Sequence, residues 1–183
     1  MKENTHQALT IRSNGGLLRV ITCPVLISMP FIPGKNNNDI KTLKVVGLWD
    51  TGASNSVINK VVADKLGLKP IAKTTVHTAS DTVIANVYLV NIILPSNVIV
   101  GAVRVTEGKI KGADMLIGMD IITHGDFSIT NKNGQTVMSF CTPSSIEIDF
   151  VKAVNTQETS NRRSASLKKY SPKKAMRNNK KAK

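Results

Sequence analysis

The chain has 183 residues, enough for one domain with a sizeable core. Only 4% of the residues are aromatic, so Val, Ile and Leu must build that core, and this composition favours strands. The net charge of +13 suggests a nucleic-acid or acidic partner. However, residues 155–183 alone hold ten lysines and arginines against one acid, Glu158, so most of the positive charge lies in this last segment. No run approaches the roughly 20 apolar residues of a membrane span, and the polar N-terminus does not resemble a secretory signal, so we expect a cytoplasmic protein.

The first 50 residues predict an arm and two strands. Residues 1–16 are polar and end in two glycines, which is typical of an N-terminal arm. The apolar run 17–29 predicts an edge strand, because Pro24 cannot donate a hydrogen bond to a sheet. A loop rich in Pro, Gly and Asn follows, and residues 42–49 predict a short apolar strand that runs directly into Asp50.

The middle of the chain predicts one helix and several strands. Asn59 can cap a short helix that ends near Leu66, where Gly67 is a natural stop. The segments 73–84 and 85–94 alternate enough to predict two strands, joined through a hairpin tip at Thr78, Ala79, Ser80 and Asp81. A further strand is expected at 98–105.

The last third continues this pattern. Residues 115–118 predict a buried strand that leads into a helical turn at 119–123. Asn133-Gly134, between apolar segments at 127–130 and 136–140, is a strong hairpin signal. The alternation at 146–151 predicts a last strand. Residues 155–183 carry few large apolar side chains, so we expect a disordered basic tail.

Asp50-Thr51-Gly52 is the motif that carries chemistry. Peptide hydrolysis without a metal or a nucleophilic side chain needs a base to activate water and an acid to protonate the carbonyl oxygen. Two adjacent carboxylates that share one proton supply both. Asp provides the carboxylate, Thr a hydroxyl that can anchor the turn, and Gly permits close backbone approach. A strand precedes the motif, a helix follows it, and an apolar-apolar-Gly strand, Leu116-Ile117-Gly118, comes about 65 residues later.

This arrangement resembles the retropepsin-like aspartic proteases, the one-lobe relatives of pepsin. Asp50-Thr51-Gly52-Ala53-Ser54 is similar to their active-site loop, and Leu116-Ile117-Gly118 is similar to their second motif. The resemblance implies an all-β fold, a closed retropepsin-like β-barrel with one or two short helices. It also implies a two-fold homodimer that brings two Asp50 carboxylates together around a polypeptide substrate.

The same resemblance assigns further roles. Thr78, Ala79, Ser80 and Asp81 stand where the family places its flap hairpin, although they include no Gly. Thr51 stands where the family has a hydrogen-bond anchor across the dimer, and Ser54 replaces the Asp that retroviral members usually carry. The implied enzyme is an aspartic endopeptidase that needs no cofactor.

Other chemistry-bearing residues have simpler interpretations. Asp114 and Asp120 are interpreted as loop and helix-end groups, and His77 and His124 as surface or satisfied histidines. With His6 these histidines form no ligand cluster, so we assign no metal. Cys23 and Cys141 lack metal-type spacing and are interpreted as small buried hydrophobic residues.

The predicted organisation is an arm at 1–16, the protease domain at 17–154 and the basic tail at 155–183. Two alternative functions remain open. One is a non-catalytic dimerisation or peptide-binding module with the same fold. The other is nucleic-acid binding through the tail, for which we expect weak and non-specific contacts with polyanions.

Overall fold

The computed structural model describes residues 5–31, 40–77 and 82–169, with side chains described no further than residue 160. Two compact units make up the chain, Met1–Ile146 and Glu147–Lys183, and each is described by itself. Within the described residues, no helix combines the length and the apolar character needed to cross a membrane. The predicted cytoplasmic location stays a prediction.

The first unit consists mainly of strands. Its elements in chain order are β1 (Gln7–Arg12), β2 (Thr22–Ser28), β3 (Thr42–Trp49), β4 (Val57–Ile58), α1 (Lys60–Leu66), β5 (Ala72–His77), β6 (Thr82–Leu94), β7 (Val98–Glu107), β8 (Met115–Ile117), α2 (Met119–Ile122), β9 (Asp126–Thr130) and β10 (Val137–Thr142). Single 3₁₀ turns lie at Pro95–Asn97 and Lys132–Gly134.

Six of these strands close into a barrel. Hydrogen bonds link them in the order β2-β3-β8-β4-β7-β6, and β6 pairs back onto β2. The closing contact is antiparallel and places Leu26 opposite Ile93 and Ser28 opposite Asn91. β5 extends the sheet from the far side of β6. The predicted all-β fold, a closed barrel with two short helices, is confirmed.

The barrel interior follows from two-residue periodicity. Along β2, Cys23, Val25 and Ile27 are buried while their neighbours Thr22, Pro24 and Leu26 are exposed. Because β2 has a partner on both sides from Leu26 onward, the prediction of an edge strand is wrong. Pro24 is tolerated because the β2–β6 pairing begins two residues after it.

A second, three-stranded sheet has the order β1-β10-β9. The β9–β10 hairpin predicted from Asn133-Gly134 is confirmed, and both of these residues have positive φ, 56° and 72°. β1 lies inside the segment predicted as an arm. Its Leu9 is 2% exposed and pairs with Phe140, so this segment contributes to the core.

The end of the first unit differs from the predicted last strand. Residues 143–149 have no strand structure, and helix α3 (Phe150–Lys169) follows, so the strand predicted at 146–151 is wrong. The backbone amides of Ser145 and Ile146 donate to the Asp126 carboxylate at 2.7 and 3.0 Å and do not form a ladder. Residues 155–169, which belong to the segment predicted as a disordered tail, lie within α3, and the predicted disorder of 155–183 stays a prediction.

Both cysteines are free thiols. Cys23 is 5% exposed and Cys141 is half-buried, as expected for small hydrophobic residues. Burial raises the pKa of the Cys23 thiol, so this side chain stays protonated and unreactive at neutral pH.

Candidate active site

The candidate site forms where β3 and β8 end side by side. The two strands are parallel, with Leu48 opposite Leu116 and Trp49 opposite Ile117. β8 also pairs with β4, so the segment 50–56 crosses the end of β8 on its way from β3 to β4. The Asp50 amide donates to the Ile117 carbonyl at 3.0 Å, which fixes Asp50 at the end of both strands.

The Asp50 carboxylate is held by its own turn. The Gly52 amide donates to Asp50 Oδ1 at 2.9 Å, and the Ala53 amide donates to the Asp50 carbonyl at 3.2 Å. A Cβ on Gly52 would lie 3.2 Å from Oδ1, which is a tight contact. Among the described residues, Oδ2 has no hydrogen-bond partner. One carboxylate oxygen is therefore positioned, while the other can bind a water or a second carboxyl group.

Leu116-Ile117-Gly118 and the Asp50 loop come together in the structure. At the start of α2, the Met119 amide donates to the Ala53 carbonyl at 2.8 Å, and the Asp120 amide donates to the Ser54 carbonyl at 3.2 Å. These bonds satisfy helix amides that would otherwise have no partner. The loop and the short helix thus support each other.

Gly118 is needed for this close approach. A Cβ at this position would lie 2.7 and 2.8 Å from the carbonyl carbon and oxygen of Asn55, and 2.9 Å from the Ala53 oxygen. Backbone atoms of a held loop cannot move away as the end of a flexible side chain can. A residue with a side chain here would push the Asp50 loop off α2.

Ser56 is a supporting residue that the sequence did not reveal. It is fully buried, and its Oγ donates to Asp120 Oδ1 at 2.8 Å and accepts from the Gly118 amide at 3.1 Å. Its carbonyl accepts from the Thr106 amide of β7 at 3.0 Å. In the sequence it stands in a run of small polar residues, which indicates only a loop. Its partners, Thr106, Gly118 and Asp120, are at least 50 positions away in the chain, so only the folded structure brings them together.

The carboxylates interpreted as structural have structural partners. Asp120 lies in the first turn of α2 and accepts from Ser56, which confirms its interpretation as a helix-end group. The Asp114 carboxylate accepts from the Val46 amide at 2.9 Å, and the Asp114 amide donates to the Val46 carbonyl. Asp114 is therefore a loop group that continues the hydrogen bonding of the sheet. The His124 side chain is exposed.

The predicted flap lies partly outside the described residues. β5 pairs antiparallel with the first six residues of β6, from Ala72 opposite Val87 to His77 opposite Thr82. The four residues assigned to its tip, Thr78, Ala79, Ser80 and Asp81, are not among the described residues, and neither is the His77 side chain. The assignment of these residues to a flap therefore stays a prediction.

Comparisons with known proteins found one family model and several similar solved structures. Residues 37–124 match the family described as "gag-polyprotein putative aspartyl protease", a range that contains both Asp50 and Gly118. A retropepsin-like aspartic protease from Rickettsia conorii is 16% identical, with 78% of this chain and 99% of that chain covered and a TM-score of 0.45. The protease of Simian Foamy Virus (mac) is also 16% identical, with 56% and 91% covered and a TM-score of 0.38. No curated protein matches this chain.

Proposed function

We propose that this chain, whose residues 37–124 match the family described as gag-polyprotein putative aspartyl protease, is a retropepsin-like aspartic endopeptidase that works as a two-fold homodimer. The observation that carries the proposal is the placement of Asp50. Its carboxylate stands at the joint end of β3 and β8, with Oδ1 held by the Gly52 amide and Oδ2 free among the described residues.

The second carboxylate of the proposed site comes from another copy of the chain. The 183 residues contain one Asp-Thr-Gly, and hydrolysis by this mechanism requires two adjacent carboxyl groups. A two-fold axis beside Asp50 supplies both from identical surfaces. Thr51 is exposed and immediately follows Asp50, which suits the role of a hydroxyl that bonds across the dimer.

The proposed mechanism uses one proton shared between the two Asp50 side chains. The ionised carboxylate takes a proton from a bound water, whose oxygen attacks the carbonyl carbon of the scissile peptide. The protonated carboxyl group gives its proton to the carbonyl oxygen, which yields a tetrahedral diol. The first carboxyl group, now protonated, then gives its proton to the leaving nitrogen while the ionised one takes a proton from a diol hydroxyl. The C–N bond breaks, a carboxylic acid and an amine form, and the pair again shares one proton.

The surrounding residues position these groups. Gly52 orients the carboxylate, and the bonds from α2 to the carbonyls of Ala53 and Ser54 keep the loop from moving during proton transfer. Thr78–Asp81 is proposed as the flap that covers the substrate. No cofactor or metal is required.

Substitution of Asp50 by Asn tests the proposal. The amide cannot act as a base for water, so we expect peptide cleavage to fall at least about 1,000-fold. The measurement is mass spectrometry of fragments from a peptide mixture, with and without pepstatin. Asp64→Asn is the matched control, because Asp64 is an exposed carboxylate on α1 that pairs with Lys60. Cleavage by the Asp50→Asn protein at the rate of the control would refute the assignment.

A further inference from the structure

A short run of exposed apolar side chains precedes β2. Leu17 and Val20 have 62% and 59% of their surfaces exposed, and Leu18 between them has 37%. The one charged residue of this run is Arg19, a residue type that is enriched in protein interfaces. Single exposed apolar side chains are ordinary, whereas a cluster of them typically marks an interaction surface. The proposed catalysis gives the apolar segment 17–20 no role.

Hydrogen bonds hold the backbone of the apolar segment at both ends. At its start, the Thr136 amide donates to the Gly16 carbonyl at 3.3 Å, and the Leu18 amide donates to the Thr136 hydroxyl at 2.9 Å. Just after its end, the Trp49 amide donates to the Ile21 carbonyl at 3.0 Å. Thr136 and Trp49 are both buried, so these anchors belong to the core. The segment therefore presents its apolar side chains to the surface on a fixed backbone.

The bond between Ile21 and Trp49 also places the segment beside Asp50. β2 and β3 run antiparallel, so Val20 and Asp50 are the next residues of the two chains beyond this bond. Adjacent strands are about 5 Å apart and consecutive Cα atoms about 3.8 Å apart, so the Cα atoms of Val20 and Asp50 lie within about 13 Å of each other. In the proposed dimer the two Asp50 carboxyl groups are about 3 Å apart. A surface this near to Asp50 lies close to the two-fold axis and within reach of the partner copy.

We propose that Leu17, Leu18 and Val20 are part of the interface between two copies of this chain, where the partner copy covers them. The inference rests on the proposed function, because the pairing of two Asp50 side chains is what places the two-fold axis. In a two-fold interface the same surface region is buried on both subunits, so each of these side chains contributes twice. The apolar segment thus stabilises the dimer on which the shared active site depends, and it takes no part in the chemistry.

The test is sedimentation velocity of the full chain over a range of protein concentrations, which gives the dimer dissociation constant without any measurement of peptidase activity. The interface variant carries Leu17→Thr and Val20→Thr, which replace apolar side chains by a smaller polar one and leave the backbone hydrogen bonds in place. The matched control carries Val61→Thr and Ile129→Thr. These two residues are comparably exposed, and they lie on α1 and β9, away from the apolar segment in the chain.

We expect the interface variant to raise the dimer dissociation constant at least about ten-fold, because apolar surface buried in the dimer is lost on both copies. The control should stay within about two-fold of the unsubstituted chain. At protein concentrations well above its own dissociation constant, the interface variant should recover the specific activity of the unsubstituted chain with an unchanged KM. Circular dichroism checks the fold, and if the double variant does not fold, the single variant Val20→Thr decides, with an expected rise of about three-fold or more.

Three results would overturn the inference. These are an unchanged dissociation constant in the folded interface variant, equal increases in the interface variant and the control, and an unsubstituted chain that stays monomeric at every concentration. A raised KM with an unchanged dissociation constant would assign the apolar segment to substrate binding. Peptidase activity is measured on the same proteins, so the two proposals can fail separately. A chain that dimerises through this segment but cleaves no peptide would refute the proposed catalysis and leave the interface in place.

Discussion

The candidate site depends on single residues whose side chains are small. Gly118 lets the Asp50 loop lie directly against α2. The Ser56 hydroxyl bonds to both the Gly118 amide and the Asp120 carboxylate. Neither residue would touch a substrate. Both help to fix the position of the Asp50 carboxylate, and the proposed catalysis requires that position to be precise.

Replacement of Gly118 by Ala should damage both stability and activity. The new Cβ would meet backbone atoms of Asn55 and Ala53 at 2.7 to 2.9 Å, and a forced shift of this kind typically costs about 1–3 kcal/mol. We expect a lower free energy of unfolding in urea and at least about a ten-fold loss of peptidase activity.

Gly101→Ala is the control, because the nearest atom to its new Cβ would be Asn91 Oδ1 at an ordinary 3.6 Å. It should stay within about 0.5–1 kcal/mol of the unsubstituted chain. Equal effects of the two substitutions would mean that Gly118 is not the contact on which the loop depends.

At the scale of elements, the sequence predicts correctly those helices and turns that are formed by interactions between neighbouring residues. Helix α1 begins after Asn59, whose side chain accepts from the Val62 amide at 3.1 Å, and it ends at Gly67 with φ of 68°. The β9–β10 hairpin follows from Asn133-Gly134 in the same way. Capping and turn residues act within a few positions, so the sequence alone contains the necessary information.

Elements that depend on distant partners were predicted poorly. β1 was missed because its short alternation at Leu9 and Ile11 becomes meaningful only beside β10. The apolar alternation at 146–151 predicts a strand, yet its first amide, that of Ile146, donates to the Asp126 carboxylate, 20 positions earlier in the chain. The pairing of β6 with β2 that closes the barrel also joins segments far apart in the chain. Hydrophobic periodicity predicts which face of a strand is buried, but it does not predict which strand lies beside it.

The bonds to Asp126 predict a pH-dependent end of the first unit. The Ser144 hydroxyl and the backbone amides of Ser145 and Ile146 lower the pKa of the Asp126 carboxyl, because they bond to its charged form. A lowered folded-state pKa means that these bonds are complete above the ordinary Asp value of about 3.9 and are lost as pH falls through the lowered value.

NMR can follow this loss directly. The amide chemical shifts of Ser145 and Ile146 should stay constant from pH 7 to about pH 4.5 and change only below about 3.9. In an Asp126→Asn protein the same amides should be shifted already at neutral pH and show no such transition. A transition above pH 4.5 in the unsubstituted chain would contradict a lowered pKa.

For the whole molecule, the central question is whether one chain or two make the active site. Unit Met1–Ile146 contains a closed barrel with one Asp50 at its edge, so each copy presents half of the proposed dyad. In such a dimer, a single defective Asp50 inactivates the site that both copies share. If each chain were active as a monomer, a defective Asp50 would inactivate only the chain that carries it.

Mixing the unsubstituted chain with Asp50→Asn protein separates these two cases. If the two forms associate equally well, an equimolar mixture contains about one quarter unsubstituted homodimers. At fixed total protein, well above the dimer dissociation constant and after subunits have exchanged, activity should therefore fall to about one quarter of that of the unsubstituted chain. Independent monomers would retain about one half. In a parallel mixture, Asp64→Asn protein keeps its Asp50 and should leave activity nearly unchanged, because the Asp64 side chain is exposed on α1 and its partner among the described residues is Lys60. A value of one half in the first mixture would exclude a site shared between two chains, whereas one quarter requires that the two Asp50 carboxylates act together.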